Sequence, residues 1–457
     1  MIQKPQDTLL FSVAGARGIV GRGLNVEVAA RLALAFSSTL ESGAVVVGRD
    51  TRPSGESLMS AVVGAITATG RECIDLGIAT TPTVEVVVEK LGAVGGIIVT
   101  ASHNPAEWNA LKFLDRHGIF ITKEAGDRVY SAFTGQQFRF VDARATGPIT
   151  RYDRGGRDHI DGILSLHALD VERLLRRNFK VVVDCINGAG SVIAPELLKT
   201  LGADVVKMNC KTDGDFYRDP EPLAENITDL AERVAKEKAD IGFALDPDAD
   251  RLALVDGEGN ALSEEYTLPL VVDGVLEKEK RGPVVVNMST SALVDWVAAR
   301  HKTGVIRTPV GEAYVVARML EEKAPIGGEG NGGVIYPELH SGRDGLLGMA
   351  LIMQLLVDRD ISLRNLVREY PEFKMKKRKV PLGGEFDAAR ISSLISKRGA
   401  DKIDSTDGVK AIFEDGWCHI RVSNTEGIVR VIVESMSTER TRDLQALAVE
   451  AVTESWG

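Results

Sequence analysis

Five short stretches hold residue types that can do chemistry. Thr100-Ala101-Ser102-His103-Asn104-Pro105 sets a hydroxyl, an imidazole and an amide ahead of a helix-incompatible Asn-Pro step. The hydroxyl suits group transfer, with Ser102 expected to stand exposed at the crest of a tight loop. No G-x-S-x-G elbow surrounds it, so an esterase triad is unsupported. On position alone the stretch reads equally as a capped turn, with His103 a structural donor. Asp246-Pro247-Asp248-Ala249-Asp250-Arg251 carries three carboxylates at alternate positions and then a guanidinium. If the loop curls they converge on one cation, and their mutual repulsion makes that costly without a metal. Hard oxygen donors favour Mg²⁺, and the adjoining cation suits a phosphate. The EF-hand alternative is weak because the apolar Leu252-Ala253-Leu254-Val255 resumes at once; a solvated acidic turn is the bland alternative.

Gly327-Gly328-Glu329-Gly330-Asn331-Gly332-Gly333 permits close backbone approach to a ligand, with Glu329 and Asn331 as the readable side chains, suited to sugar hydroxyls. It is neither G-x-G-x-x-G nor a Walker loop, so nucleotide binding is not indicated, and alone it also reads as a plain glycine turn. Arg421-Val422-Ser423-Asn424-Thr425-Glu426-Gly427, with Arg430 beyond, is a donor-rich nest for a dianionic phosphate, or a hairpin turn with hydroxyl caps. In Gly15-Ala16-Arg17-Gly18 only Arg17 offers chemistry.

The elements around these stretches decide what they can do. The serine and aspartate segments each follow a short, near-continuous apolar run, at 96–99 and 241–245. Such runs suit strands buried on both faces of a parallel sheet, and loops at their carboxyl ends are where α/β sheets keep function. Similar runs at 44–47, 180–183, 283–287 and 305–308 alternate with helical stretches such as 26–40 and 56–69. Residues 142–161, rich in Gly, Arg and Asp, read as a connection, and Asp256-Gly257-Glu258-Gly259-Asn260 as a closing turn. After about residue 370 the texture becomes α+β: a helix near 387–399, strands at 409–413, 417–422 and 428–434, and a last helix at 441–452. The basic run at 374–379 reads as the solvated face of a strand rather than a nucleic-acid patch.

With 457 residues the chain needs about three or four domains. Hydrophobic residues at 44% and charged residues at 26% exclude wholesale disorder. The formal charge of −10 argues against a general nucleic-acid binder while leaving room for a local anion pocket. Four scattered cysteines without a CxxC pair suggest free thiols in a reducing cytoplasm, with Cys185 a small core residue. No apolar run approaches a membrane span, and the first residues carry no apolar signal segment.

Taken in order, T-A-S-H-N-P, D-P-D-A-D-R, G-E-G-N-G and R-V-S-N-T-E resemble the motifs of the α-D-phosphohexomutase superfamily, over essentially the whole chain. The resemblance implies three related α/β domains with mixed, largely parallel sheets and a C-terminal α+β domain around a central cleft. The expected divisions are 1–150, 151–257, 258–369 and 370–457. It implies that Ser102 works as a phosphoserine and, through a phosphate oxygen, joins Asp246, Asp248 and Asp250 in holding Mg²⁺. Arg17 and Arg251 match arginines near the transferred phosphoryl group, with His103 beside the serine, and Lys112 matches a candidate general acid/base. Glu329 and Asn331 match the sugar-reading loop; Arg421, Ser423, Asn424, Thr425 and Arg430 match the grip on the phosphate that stays. Phosphate would move between the 6- and 1-positions of a hexose, with a hexose 1,6-bisphosphate as intermediate and activator.

This sequence departs from the pattern at Ala110, where the family often has glycine, at Gly427, where proline is frequent, and at Gly332-Gly333, where bacterial members often have Gly-His. His340 is the candidate to replace that imidazole. The stretch from 328 to 344 looks most like the phosphoglucosamine mutases, with phosphomannomutase or phosphoglucomutase as the alternative. A non-enzymatic sugar-phosphate-binding protein and a metal-dependent phosphatase are the readings from other classes. The expected partner is a small hexose phosphate, with no nucleic acid or membrane, for a cytoplasmic monomer or homodimer.

Overall fold

The structure, a computed structural model, describes residues 9–13, 15–279, 282–423 and 427–456. The first unit is a seven-stranded mixed sheet in the order Leu10–Ser12, Gly15–Ile19, Trp108–Leu114, Gly95–Val99, Val45–Arg49, Cys73–Ile78, Ile149–Arg151. Its central strands are parallel, and Trp108–Leu114 runs against Gly95–Val99 with Ile97 opposite Phe113. The second sheet has the order Leu252–Asp256, Ile241–Leu245, Lys180–Asp184, Asp204–Met208. The third has the order Val305–Thr308, Val284–Asn287, Ile326–Glu329, Gly333–Ile335. In each of these two, three strands are parallel and one edge strand is antiparallel.

A common plan follows. In all three units a fully buried parallel strand turns directly into an antiparallel neighbour, and the turn carries a chemistry-bearing stretch: 100–107, 246–251 and 330–332. The fourth unit is an all-antiparallel sheet ordered Lys374–Pro381, Ile428–Ser435, Gly416–Val422, Val409–Phe413, Lys402–Asp404. Helices Ala388–Ser396 and Thr438–Ser455 pack together beside that sheet.

The stretch 142–161 is more than the connection expected from its composition. It supplies the strand Ile149–Arg151, paired parallel to Cys73–Ile78, and the helix Gly155–Leu164, packed on the helix Thr81–Lys90. The second and third units share one hydrophobic core, so the chain break near 257 is not a break in packing. At its centre lies the helix Gly345–Arg359, apolar on every face and buried from 345 to 357. Asp344 caps it, accepting from the amides of Leu346 (2.8 Å) and Leu347 (3.1 Å).

All four cysteines are free thiols and Cys185 is buried in the shared core, as expected. The basic run lies on the edge strand Lys374–Pro381, and Lys377 reaches Glu264 (2.6 Å) and Glu265 (3.0 Å) in the third unit. Among the described residues no helix is long and apolar enough to cross a membrane.

Candidate active site

The serine loop is held from below by an arginine that motif reading passed over. Arg52, fully buried, pairs with Asp50 (3.0 Å) and donates to the backbone carbonyls of Ser102 (2.6 Å), Asn104 (2.6 Å), Pro105 (2.7 Å) and Trp108 (3.1 Å). Asp50 in turn accepts from the Thr100 hydroxyl (2.6 Å), which accepts from the Ser102 amide (3.0 Å). The available signal was Asp50-Thr51-Arg52, charged residues right after the apolar strand Val45–Arg49. The anchoring holds Ser102 at φ +50°, a left-handed conformation costing a non-glycine residue roughly 1–3 kcal/mol.

Ser102 is 7% exposed, which corrects the expectation of an exposed crest. Antiparallel pairing of the next strand folds the loop inward, and the second unit closes over it. Its Oγ donates to Asp246 Oδ2 (3.0 Å) and lies 3.4 Å from His103 Nδ1. It lines a cavity of about 140 Å³ with Arg17, His103, Lys112, Arg251 and Arg343.

Asp246, Asp248 and Asp250 are fully buried, with one oxygen of each within 4.8 Å of the others. The curl expected of their loop is made by Ala249 at φ +59°. Burial raises the Asp246 carboxyl well above its usual range, and the charges of Asp250 and Asp248 add to this. Asp248 goes the other way: burial would raise it, but Lys112 at 2.8 Å and Thr81 at 2.7 Å outweigh that and lower it. Asp248 Oδ1 and Asp250 Oδ1 are buried without a hydrogen bond. Orphaned carboxylate oxygens beside a buried hydroxyl fit a hard divalent cation.

Positive charge surrounds this centre. Arg17, on the strand Gly15–Ile19, donates to Asn104 Oδ1 (3.3 Å). Arg251 donates its amide to Asp246 (3.2 Å) and reaches Glu221 through Nη1 (3.2 Å), while its buried Nε has no hydrogen bond. Arg343, also not foreseen, joins Asp250 (2.6 Å), Glu312 (2.9 Å) and Glu329 (3.0 Å). Burial, together with Arg251, Arg17 and Arg343, holds His103 well below the usual imidazole range. Burial lowers Lys112, but Asp248 and Asp250 raise it further, so it stays an ammonium.

The sugar-reading expectation fares unevenly. Glu329 is 4% exposed and both oxygens are engaged within the protein, by Asn287 (2.8 Å), Gly311 N (3.1 Å), Arg343 (3.0 Å) and Asn331 (3.4 Å). Asn331 also accepts from Gly333 N (3.2 Å). His340, the candidate for the missing imidazole, is engaged inside the protein. It is 3% exposed, with Nε2 at 3.2 Å from Asp344 and Nδ1 at 3.3 Å from Glu85. Burial lowers it, but Asp344 and Glu85 prevail and lift it to about 10.

In the fourth unit Arg421 pairs with Asp407 (3.0 Å) and stands opposite Arg430, which stands opposite Lys379, giving a strip of three cations across neighbouring strands. Ser423 is buried at its end, its amide on Ile428 O (2.9 Å). Asn424 and Thr425 lie outside the described residues.

Four family models match the chain in order: phosphoglucomutase/phosphomannomutase alpha/beta/alpha domains I, II and III over residues 8–140, 157–259 and 263–373, and the C-terminal domain over 376–451. A "Phosphoglucomutase/phosphomannomutase" of Thermococcus kodakarensis is 38% identical over 98% of this chain and 99% of its own. A "Probable phosphoglucosamine mutase" of Methanopyrus kandleri is 35% identical over 97% of each. The crystal structure of a phosphoglucomutase/phosphomannomutase family protein from Burkholderia thailandensis superposes with a TM-score of 0.83 at 25% identity, over 100% of this chain and 98% of that one.

Proposed function

The chain belongs to the phosphoglucomutase/phosphomannomutase family and is a phosphohexomutase, and from that premise we propose that it interconverts glucosamine 6-phosphate and glucosamine 1-phosphate through a phosphorylated Ser102 and a 1,6-bisphosphate. The observation that carries the mechanism is the Ser102 hydroxyl, 3.0 Å from Asp246 in a cavity ringed by Arg17, His103, Lys112, Arg251 and Arg343. We assign the four segments to units 1–150, 151–257, 258–369 and 370–457.

In this reading the Oγ–P bond of phosphorylated Ser102 breaks as the free hydroxyl of the sugar bonds to phosphorus, and the proton that this hydroxyl loses goes to the freed Ser102 Oγ. The resulting bisphosphate turns over, and its other phosphoryl group returns to Ser102 as the hydroxyl gives up its own proton. With Asp246 Oδ2, at 3.0 Å, set aside as a metal ligand, neutral His103 at 3.4 Å is the next side chain able to accept that proton. Lys112, held as an ammonium, is a proton donor and fixed charge rather than a base. Mg²⁺ would be held by Asp246, Asp248 and Asp250 and would neutralise charge building on the phosphoryl oxygens. Arg17 and Arg251 supply further compensation without reorganising. Arg421, Ser423, Asn424, Thr425 and Arg430 would hold the phosphate that stays, and Glu329 and Asn331 would orient the sugar once their internal contacts exchange. Binding energy at that remote phosphate helps position the reacting end.

The resemblance of residues 328–344 and the name of the Methanopyrus relative support glucosamine phosphate. The name of the Thermococcus relative supports glucose or mannose phosphate as the second reading. Turnover of the three hexose 6-phosphates side by side, with catalytic bisphosphate, tests the choice. Fastest turnover of the glucosamine ester is expected, and a higher rate on either other sugar installs the second reading. Near-normal activity in Ser102→Ala overturns the phosphoserine mechanism, and release of inorganic phosphate outpacing isomerisation exposes a phosphatase.

A further inference from the structure

Directly behind this site lies a second buried cluster, which the mutase chemistry does not use. His159 Nε2 is 2.8 Å and His340 Nε2 3.2 Å from the same atom, Asp344 Oδ2. One donor atom from each of the three lies within 4.8 Å of the others, and the two rings meet at 90°. Asp344 Oδ1 is occupied by the Leu346 and Leu347 amides, so Oδ2 is the oxygen left to face the imidazoles. The outer nitrogens have oxygen partners. His159 Nδ1 is 3.0 Å from Thr83 Oγ1, whose hydroxyl can donate onward to Thr80 Oγ1 (2.6 Å). His340 Nδ1 is 3.3 Å from Glu85 Oε2. With Nδ1 of each ring protonated toward the oxygen behind it, both Nε2 lone pairs would point inward, as in histidine–metal sites.

Glu85 supplies an independent observation. It is 1% exposed, and neither of its oxygens has a hydrogen bond. A Cβ on Gly342 would come within 1.9 Å of Glu85 Oε2, so the glycine is what lets this carboxylate press on His340. Gly342 N–H also reaches His340 Nδ1 (3.1 Å); a proton on that nitrogen would turn the contact over to Glu85. Two buried carboxylates against two imidazoles are neutralised by two added protons or by one divalent cation.

We propose that His159, His340 and Asp344 form a second, structural metal centre for a borderline divalent ion of the zinc class, with Glu85 and Thr83 orienting its imidazoles. Imidazole donors select zinc or cobalt over magnesium, so the two centres sort their cations by donor type. Glu85 and Thr83 come from the helix Thr81–Lys90 of the first unit, His159 from the helix Gly155–Leu164 of the second, and His340 and Asp344 from the third. The ion would clasp three units just behind the acidic loop, where Gly345 N donates to Ala249 O (3.1 Å) and Thr81 to Asp248 (2.7 Å).

With every donor buried, loading is expected during folding. The full-length chain is refolded from guanidinium with zinc or cobalt beside excess Mg²⁺, desalted, and assayed for bound metal, cobalt absorption and thermal midpoint. About one zinc or cobalt per chain is expected, with an imidazole-type visible band and a midpoint several degrees above that of chain refolded in chelator with Mg²⁺. His159→Asn and His340→Asn should lose that ion, and Asp248→Asn should keep it. The proposal fails if refolded wild-type chain holds no stoichiometric zinc or cobalt, if the histidine variants retain it, or if Asp248→Asn loses it. Should the histidine variants not fold, the wild-type stoichiometry and cobalt band decide alone.

Discussion

Two buried clusters of ionisable groups lie back to back in this molecule and are built on opposite principles. Asp246, Asp248 and Asp250 come from one hairpin turn, carry one sign of charge and repel one another. Their compensation arrives from elsewhere, through Lys112, Thr81, Arg343 and Arg251, and it is incomplete, leaving two carboxylate oxygens without hydrogen bonds beside the cavity of Ser102. Glu85, His159, His340 and Asp344 come from three units and set carboxylates against imidazoles, and they lie deep in the packing rather than along that cavity. A cluster strained by like charge and open to a ligand suits turnover. A cluster that gathers carboxylates and imidazoles from three domains suits assembly.

Disturbing each cluster should therefore damage a different property. The largest effect is expected from Ser102→Ala: turnover falls by about 10³-fold or more, roughly 4 kcal/mol of barrier, while circular dichroism and thermal midpoint stay near wild type. A comparable loss of midpoint would break the contrast, because it would make the catalytic cluster a pillar of stability as well. Arg52→Met is expected to show that scaffolding can be costly close to the Ser102 loop. It leaves Asp50 buried without its cation and four carbonyls without their donor, and roughly 3–5 kcal/mol of stability should be lost in denaturant titration.

Glu265, in neither cluster, sharpens the comparison through pH. Burial pushes its carboxyl up to about 7 despite Lys377 beside it. The folded chain thus keeps a proton that the unfolded chain loses near 4.5, so this group's contribution is full below that pH and is lost as pH rises through 7. In thermal or chemical melts, Glu265→Gln should lack that decline, gaining up to roughly 3 kcal/mol on wild type across the window. The smallest effect is expected from Gly342→Ala, whose methyl group meets the Glu85 carboxylate. It should cost about 1–3 kcal/mol in melts and leave the KM for substrate unchanged, as befits an assembly cluster.

The serine and aspartate loops were legible because their chemistry is local: alternate carboxylates, an Asn-Pro step and a buried apolar strand are all visible within ten residues. The strands at 96–99 and 241–245 were readable for the same reason, since side chains buried on both faces leave no polar alternation. The inward tilt of Ser102 was not legible. It depends on the antiparallel neighbour Trp108–Leu114 and on a second domain closing over the loop. Arg52 escaped notice because one arginine after a strand looks solvated until four carbonyls are seen around it. Glu329 looked free among its glycines, and its partners beyond Asn331 lie 42, 18 and 14 residues away. His340 looked like a substitute imidazole because it sits near the sugar loop in the chain, whereas its partner Glu85 belongs to another unit.

From the amino-acid order alone come the α/β architecture, the position of each chemistry-bearing turn and the alternation of carboxylates in the acidic loop. These follow from periodicity and spacing over a few residues, where backbone geometry leaves little choice. Folding alone decided which charges face one another across domains. Burial turns a weak, solvent-screened pairing into a strong and specific one, and no run of neighbouring residues records which surfaces will be buried together.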